Sequence, residues 1–562
     1  MQIMTLHRKE QFDEYYRKGY WKEDTYASLL ARNAQQWPDR EALYDGRRRY
    51  SFREFDRLTD RLALRILRSG VRKGDVVSLL LPSSTESVMT YVACGKVGAV
   101  ANTSLNLRFR EREIVNCLNK VRTKVIVVIA AYRDANFVEI LSRVVGELPH
   151  LERIILVGEP PASVPPALEG KCASWNEWMA DPVENEVMPG FFSTYPERGL
   201  ADDINYFGLT SGTTGDPKVV MHTPNSILAN ARGMTSDWGI TDKDIIFSIS
   251  PFYHHIALVA FAQAVLVGAR LVLIDPFDGK NALRMILEEK VTYAMGVPTH
   301  AIDILSACPE RLDGLALRIF YMAGAPISPE LASRIRKVLG ATPQNVYGMT
   351  ENSSHNYTRP DDSFETTIGT CGRPCEGYEV EIFDPGDRNR QLPQGEVGEI
   401  GTRGPLLMAG YFADQHRTAE SFNDAGWFMS GDLGMLDAQG NLKVIGRTKD
   451  MIIRGGHKIY PAEIENVLHG HPDVLKVAII GIPDARLGER AMACVIPKAG
   501  RTVTLHGMND YLLANGVVKY DLPEMAEVFD AFPMTPSGKV LKRVLREKMI
   551  SGTAETRVER NP

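Results

Sequence analysis

Short β-rich runs alternate with helical stretches over most of this chain, and that alternation restricts the fold more than any other feature. Val76–Leu81, Lys124–Ile129 and Arg270–Ile274 are runs of strand length, rich in branched apolar residues. Between such runs the pattern turns helical. Ser51 is placed to cap a helix that runs to about Ser69, Glu54 completes a capping box, and Gly70 is placed to end it. Strands separated by helices over hundreds of residues predict α/β layers with largely parallel sheets. Ligands of such sheets gather in the loops at the carboxyl ends of strands.

At 562 residues the chain exceeds one hydrophobic core, so at least two domains are expected. Pro160–Pro166 reads as a surface loop, and the sequence changes character around Gly446–Asp450. Ile452–Arg454 reads as a strand entering the glycine turn Gly455-Gly456. Pro461 then suits a first helical turn, Ile464, Val467 and Leu468 share one face, and Val474–Ile480 is a further strand. The expected division is a large domain of residues 1–448 and a small α+β domain of residues 449–562.

Several function classes drop out. A formal charge of -5 is small for this size and argues against a general nucleic-acid binder. The longest apolar run, Ile256–Ile274, is broken by Gln263, Gly268 and Arg270, and reads as a buried helix followed by a strand rather than a membrane span. The N-terminal stretch is charged from His7 onward and has no apolar core, unlike a signal peptide. Seven scattered cysteines suit reduced thiols, so a cytoplasmic protein is expected. Cys371 and Cys375 have no second pair nearby, which disfavours a zinc site.

Chemistry concentrates in Thr210-Ser211-Gly212-Thr213-Thr214-Gly215-Asp216-Pro217-Lys218. The glycines let backbone N–H groups approach a ligand, the four hydroxyls add donors for phosphate oxygens, and Lys218 adds a compact positive charge. The spacing differs from the usual P-loop, and Val219-Val220-Met221 follows as a strand, so the segment reads as the tip of a hairpin. A flexible surface turn is the plain alternative for glycine and hydroxyl residues alone.

This string closely resembles the signature loop of the adenylate-forming superfamily of acyl-CoA synthetases, luciferases and peptide-synthetase adenylation domains. Further motifs follow in that family's order from about residue 40 to 545. The resemblance implies layered α/β subdomains with a small β-barrel-like piece, and a mobile C-terminal domain. It implies that Thr210, Ser211, Gly212, Thr213, Thr214, Gly215 and Lys218 grip the pyrophosphate half of ATP. In Tyr347-Gly348-Met349-Thr350-Glu351, Tyr347 would stack on adenine, Thr350 would bond the α-phosphate and Glu351 would hold Mg²⁺. The backbone of Gly324-Ala325-Pro326 would flank the adenine, and Asn345 belongs to the same nucleotide group. Asp432 would accept both ribose hydroxyls, with Arg447 beside it. Lys449 resembles the family's hinge residue. Lys539, read as opening a helix with Leu541, Val544 and Leu545 on its apolar face, resembles the lysine that reaches the carboxylate and α-phosphate during adenylation. Without that motif, Lys542, Arg543, Arg546 and Lys548 would read as a solvated basic helix. Acetylation of Lys539 would neutralise its charge and block the step.

Arg454, Gly455 and Gly456 would leave room for a pantetheine arm, and Tyr253, His254, His255, Val297, Ala323 and Gly324 would line the acyl pocket. Asn352–Arg359 and Tyr20–Tyr26 resemble the branch that activates aryl acids. The chain departs from that branch at His255, where the branch has asparagine, and at Pro461, where it tends to alanine. The resemblance therefore implies an AMP-forming CoA ligase for an aromatic or alicyclic acid, with Mg²⁺ as cofactor and ATP and CoA as co-substrates. A carrier-protein acceptor, a medium-chain fatty acid and a homodimer stay open. A non-catalytic relative is disfavoured because every catalytic position is intact, and a luciferase-like oxygenase would demand a rare substrate.

Overall fold

The computed structural model describes residues 9–159, 163–210, 217–308, 310–534, 540–551 and 559–560. The chain divides into two compact units, residues 1–379 with 402–422, and residues 380–401 with 423–562.

Two parallel-rich sheets build the first unit. In one, Val76–Leu80 pairs in parallel with Val100–Asn102 and Thr123–Ile129, and the latter with Arg153–Val157. Near one edge of this sheet Tyr206–Thr210 and Lys218–His222 form an antiparallel hairpin, flanked by the short strand Gly410–Tyr411. In the other sheet Ile245–Ser248, Tyr293–Gly296, Ile319–Ala323 and Thr342–Met349 run parallel, and Ser353–Tyr357 turns back antiparallel to the last of them. Strands covered on both faces must be apolar throughout, and every residue of Val76–Leu80 and Ile319–Ala323 is buried. Phe247, Val272, Ile286 and Phe320 anchor one core, and Ile126, Phe137, Leu141 and Ile154 another.

The helix Phe52–Arg68 forms as its pattern predicts. Ser51 accepts from the Glu54 N–H, Glu54 accepts from the Ser51 N–H, and Phe55, Leu62 and Ile66 are buried. Such a cap contributes about 1 kcal/mol. The long apolar run is a buried helix, His255–Val267, followed by the strand Arg270–Leu273. Gly268 ends the helix at φ +76°, and a Cβ there would lie 2.0 Å from the Trp37 ring, so glycine is needed twice over. Among the described residues no helix is long and apolar enough to cross a membrane.

The second unit holds two smaller sheets. The barrel-like piece implied by the resemblance corresponds to an open sheet of five strands that includes Phe428–Leu436 paired with Leu442–Arg447. The C-terminal part is α+β. Val474–Asp484 and Gly488–Pro497 form a long antiparallel pair, and helices Pro461–Leu468 and Leu505–Ala514 contribute Ile464, Leu468, Met508 and Leu512 to one core with Val477 and Ile479. The last long helix differs from the sequence reading. It begins at Lys542, and Leu541 precedes it at 36% exposure, leaving Leu545 as the buried anchor. Nor is its basic face simply solvated: Lys542 lies 2.6 Å from Glu465 and Arg546 2.8 Å from Glu489.

Candidate active site

Thr210 and Lys218, the two ends of the hydroxyl-rich string, face each other across the last rung of the hairpin formed by Tyr206–Thr210 and Lys218–His222. Ser211, Gly212, Thr213, Thr214, Gly215 and Asp216 lie outside the described residues. The hairpin's stem supplies the first contact with the second motif. A Cβ at Gly208 would stand 2.6 Å from Thr350 Cγ2 and 2.8 Å from the Tyr206 hydroxyl, so only glycine lets the Thr350 methyl press against this strand.

Asn345, Tyr347, Gly348 and Met349 belong to the strand Thr342–Met349, and Thr350 and Glu351 follow it at its carboxyl end. Asn345 Nδ2 donates to the Thr370 carbonyl at 2.8 Å. The chain then reverses sharply. A Cβ at Gly348 would fall 1.7 Å from the Ser353 carbonyl oxygen, Ser353 sits at φ +54°, and Asn352 Oδ1 accepts the Met349 N–H at 3.0 Å. Asn352 Nδ2 in turn donates to Thr402 Oγ1 at 3.3 Å, and the Met408 N–H donates to the Glu351 carbonyl at 2.8 Å.

Glu351 is 7% exposed. Its Oε1 accepts from the Tyr411 hydroxyl at 2.9 Å, and that hydroxyl accepts from Lys218 Nζ at 3.2 Å. The ammonium also lies 4.8 Å from the centre of the Tyr411 ring. Burial, and then the Glu351 charge, push the Tyr411 phenol well above its ordinary range, so it stays protonated and keeps donating. Lysine, phenol and carboxylate thus form a chain that joins the hairpin to the second motif. A hard cation takes oxygen donors, and a carboxylate oriented by a neutral phenol beside the hairpin fits Mg²⁺ as one of its few protein ligands.

Tyr347 belongs to a layer of rings. Tyr347 meets His355 edge-on at 5.1 Å, and His355 lies 5.0 Å from Tyr378. Burial holds His355 down to about 3, so it is neutral throughout the working range.

The acyl-pocket residues fall into two groups. Val297 lies beside Gly324, its Cγ1 4.0 Å from where a Cβ would sit, and Ala323 ends the strand Ile319–Ala323 next to them. Tyr253 and His254 pack ring against ring at 4.7 Å. His300, which the sequence reading passed over, joins this group. Its Nδ1 accepts the Val297 N–H at 3.4 Å, and burial, reinforced by His254, lowers it to about 4. His255 turns elsewhere: its Nε2 bonds Ser353 Oγ at 2.9 Å, and its ring lies 5.2 Å from that of His222. It therefore faces the Thr350–Ser353 turn. Ala325 and Pro326 follow Gly324, which takes φ +84°, in the loop after the strand.

In the second unit Asp432 and Arg447 are cross-strand partners, and Arg447 Nε lies 3.3 Å from Asp432 Oδ1. Asp432 is thereby aimed by a neighbour on the same sheet. Lys449 is exposed in the single turn Thr448–Asp450. Arg454 is tied down, donating to the Tyr520 carbonyl at 3.0 Å and pairing with Glu524 at 3.1 Å. Gly455 and Gly456 both take positive φ, at +56° and +86°, which is why the turn after Arg454 is made of glycine. Lys539 lies outside the described residues.

Comparison with known proteins agrees with this architecture. The AMP-binding enzyme family profile matches residues 30–412, and that of the AMP-binding enzyme C-terminal domain matches residues 463–539. The medium-chain fatty-acid–CoA ligase of Escherichia coli (strain K12) is 30% identical over 553 residues, 98% of this chain and 95% of that protein. The salicylyl-CoA synthase / salicylate adenylyltransferase of a Streptomyces species is 32% identical over 556 residues, 98% of each chain. Among solved structures, the anthranilate CoA ligase AuaEII in complex with anthranoyl-AMP superposes with a TM-score of 0.82 at 25% identity, covering 95% of this chain and 99% of that one. The protein belongs to the AMP-binding, adenylate-forming enzyme family, and it is a ligase of the acyl-CoA synthetase type.

Sequence reasoning missed Gly208, His222, His300 and Tyr411. The only local signal for His222 was a histidine ending the apolar strand Val219-Val220-Met221. Tyr411 gave none, because its partner Glu351 is 60 residues away.

Proposed function

We propose that this ligase activates an aromatic or alicyclic carboxylic acid with ATP and transfers the acyl group to CoA. The observation that carries the reading is the Lys218–Tyr411–Glu351 chain beside Thr350, at the mouth of the hydroxyl-rich hairpin. Glu351 would hold Mg²⁺, which when bound offsets phosphate charge. A carboxylate oxygen attacks the α-phosphorus of ATP, the bond to pyrophosphate breaks, and an acyl-adenylate forms. The departing pyrophosphate is held by Thr210–Lys218, Lys539 offsets the repulsion between two anions, and Asp432 with Arg447 holds the ribose. This is positioning and electrostatics rather than covalent catalysis by the protein.

In the second half-reaction the thiolate of CoA attacks the acyl carbon and AMP leaves with the bonding pair. The residues from Lys449 onward rotate about that lysine between the two steps, withdrawing Lys539 and presenting the Arg454-Gly455-Gly456 loop. The ring-acid reading is supported by the aromatic and imidazole side chains grouped at Tyr253, His254 and His300, and by relatives named for salicylate and anthranilate.

The test is ATP- and Mg²⁺-dependent AMP release with CoA across benzoate, hydroxybenzoates, cyclohexane carboxylates and hexanoate to decanoate. CoA-stimulated turnover with one ring acid is the expected result. Turnover with hexanoate to decanoate alone would replace the ring acid with a fatty acid. Acid-dependent pyrophosphate exchange without CoA turnover would replace CoA with a carrier protein's pantetheine.

A further inference from the structure

We infer that His222 and His255 are positioning residues of the adenylation step, clamping the Thr350–Ser353 turn from beneath; the inference rests on the reading of Thr350 and Glu351 as the ATP-binding turn. His222 is fully buried on the strand Lys218–His222. Its Nε2 lies 2.6 Å from the Thr350 carbonyl oxygen, and its Nδ1 2.8 Å from Ser226 Oγ. A carbonyl only accepts, so Nε2 carries the proton and donates it. The Ser226 hydroxyl accepts the Thr223 N–H in the capping box at the start of the helix Pro224–Asp237 and turns its proton to Nδ1, so the imidazole is held in one orientation from behind. His255 takes the other end of the turn through Ser353 Oγ at 2.9 Å. Burial, with His222 adding a smaller contribution, holds His255 far below the usual histidine range, so it acts as a neutral hydrogen-bonding ring. The Tyr206 ring flanks both imidazoles, at 6.1 Å and 5.7 Å.

The geometry has a purpose that packing alone would not need. Thr350 and Glu351 project from a reversal that contains a left-handed serine, a conformation that costs energy and persists only when its surroundings fix it. Turning the Thr350 carbonyl toward His222 sets the plane of the Thr350–Glu351 peptide. That plane sets where the threonine hydroxyl and the glutamate carboxylate point. Neither imidazole is assigned any contact with ATP, so both act through the turn.

Two near-isosteric variants separate this role from packing. In His222→Gln the amide reaches the place of Nε2 and can still donate to the Thr350 carbonyl. In His222→Asn it reaches only the place of Nδ1, keeping the Ser226 contact and losing Thr350. Titration calorimetry of the full chain with MgATP should give a Kd within about threefold of wild type for His222→Gln and raised roughly tenfold for His222→Asn, the scale of one lost buried hydrogen bond. Ser353→Ala, which removes only the His255 contact, should raise Kd by about threefold to fivefold. Equal losses in the two His222 variants, or none in either, would overturn the clamp. Wild-type protein that does not bind MgATP would instead overturn the nucleotide reading on which the clamp rests.

Discussion

At the scale of single residues, the site is held by groups that touch each other more than they touch solvent. Tyr411 is the clearest case, since one hydroxyl accepts from Lys218 and donates to Glu351. Tyr411→Phe keeps the ring and removes both bonds. Hydrogen bonds to charged groups are worth about 1.5–3 kcal/mol, so kcat/KM for MgATP should fall roughly 10- to 100-fold. The melting temperature should stay near wild type, because the ring still fills its place; unchanged kinetics would show that the chain from Lys218 to Glu351 does nothing. Gly208→Ala tests the neighbouring contact. The new methyl would meet Thr350 Cγ2 at 2.6 Å, and overpacking of this kind costs about 1–3 kcal/mol. We expect a lower melting temperature together with a raised KM for ATP, measured by thermal denaturation and pyrophosphate exchange. A lower melting temperature with no change in KM would mean that Thr350 does not need this approach.

At the scale of elements, local rules carried most of the information. The capped helix at Phe52–Arg68, the buried helix and strand of the Ile256–Ile274 run and the hairpin at Thr210–Lys218 were legible because period, caps and turn residues are read within a few positions. The C-terminal helix starts three residues later than its motif suggested, and its contacts are with partners distant in sequence. Lys542 is fixed by Glu465, and the face that looked solvated is neutralised by acids from other elements. This pair gives a pH prediction. Burial raises the Glu465 carboxyl above its usual 4.5, and Lys542 opposes that rise. A carboxyl raised in the fold favours folding fully below its unfolded value, and that contribution is lost as pH climbs through the folded value. Lys542→Met removes the opposing charge and moves the folded value further up. The variant's loss against wild type should therefore be small at pH 5 and reach about 1–3 kcal/mol at pH 8. Melting temperatures of both proteins at the two pH values decide it, and a deficit independent of pH would mean that the ammonium contributes packing alone.

At the scale of the whole molecule, the question is how one chain runs two reactions that need different groups. Thr350 and Glu351, the proposed nucleotide residues, follow a strand of the first unit, whereas Lys539 and the Arg454–Gly456 turn belong to the second. Motif spacing made these groups legible one by one; it could not reveal the ties among Lys218, Tyr411 and Glu351, or among His222, Thr350 and His255, which join segments 60 to 190 or so residues apart. If the two groups of the second unit serve alternate half-reactions, they should be separable by mutation. Lys539→Ala should abolish acid-dependent pyrophosphate exchange yet still convert synthetic acyl-adenylate and CoA to thioester. Gly456→Val should do the reverse. That residue takes φ +86° with no atom within 4 Å of a Cβ, so the substitution distorts and fills the turn without clashing against the core. Exchange should then persist while thioester formation from the adenylate falls by about tenfold or more, as expected when a close backbone approach is blocked. Rapid-quench assays of each half-reaction in each variant give four numbers. A crossed pattern supports alternation about Lys449; parallel losses in both half-reactions would show that one arrangement of the residues after Lys449 serves both steps.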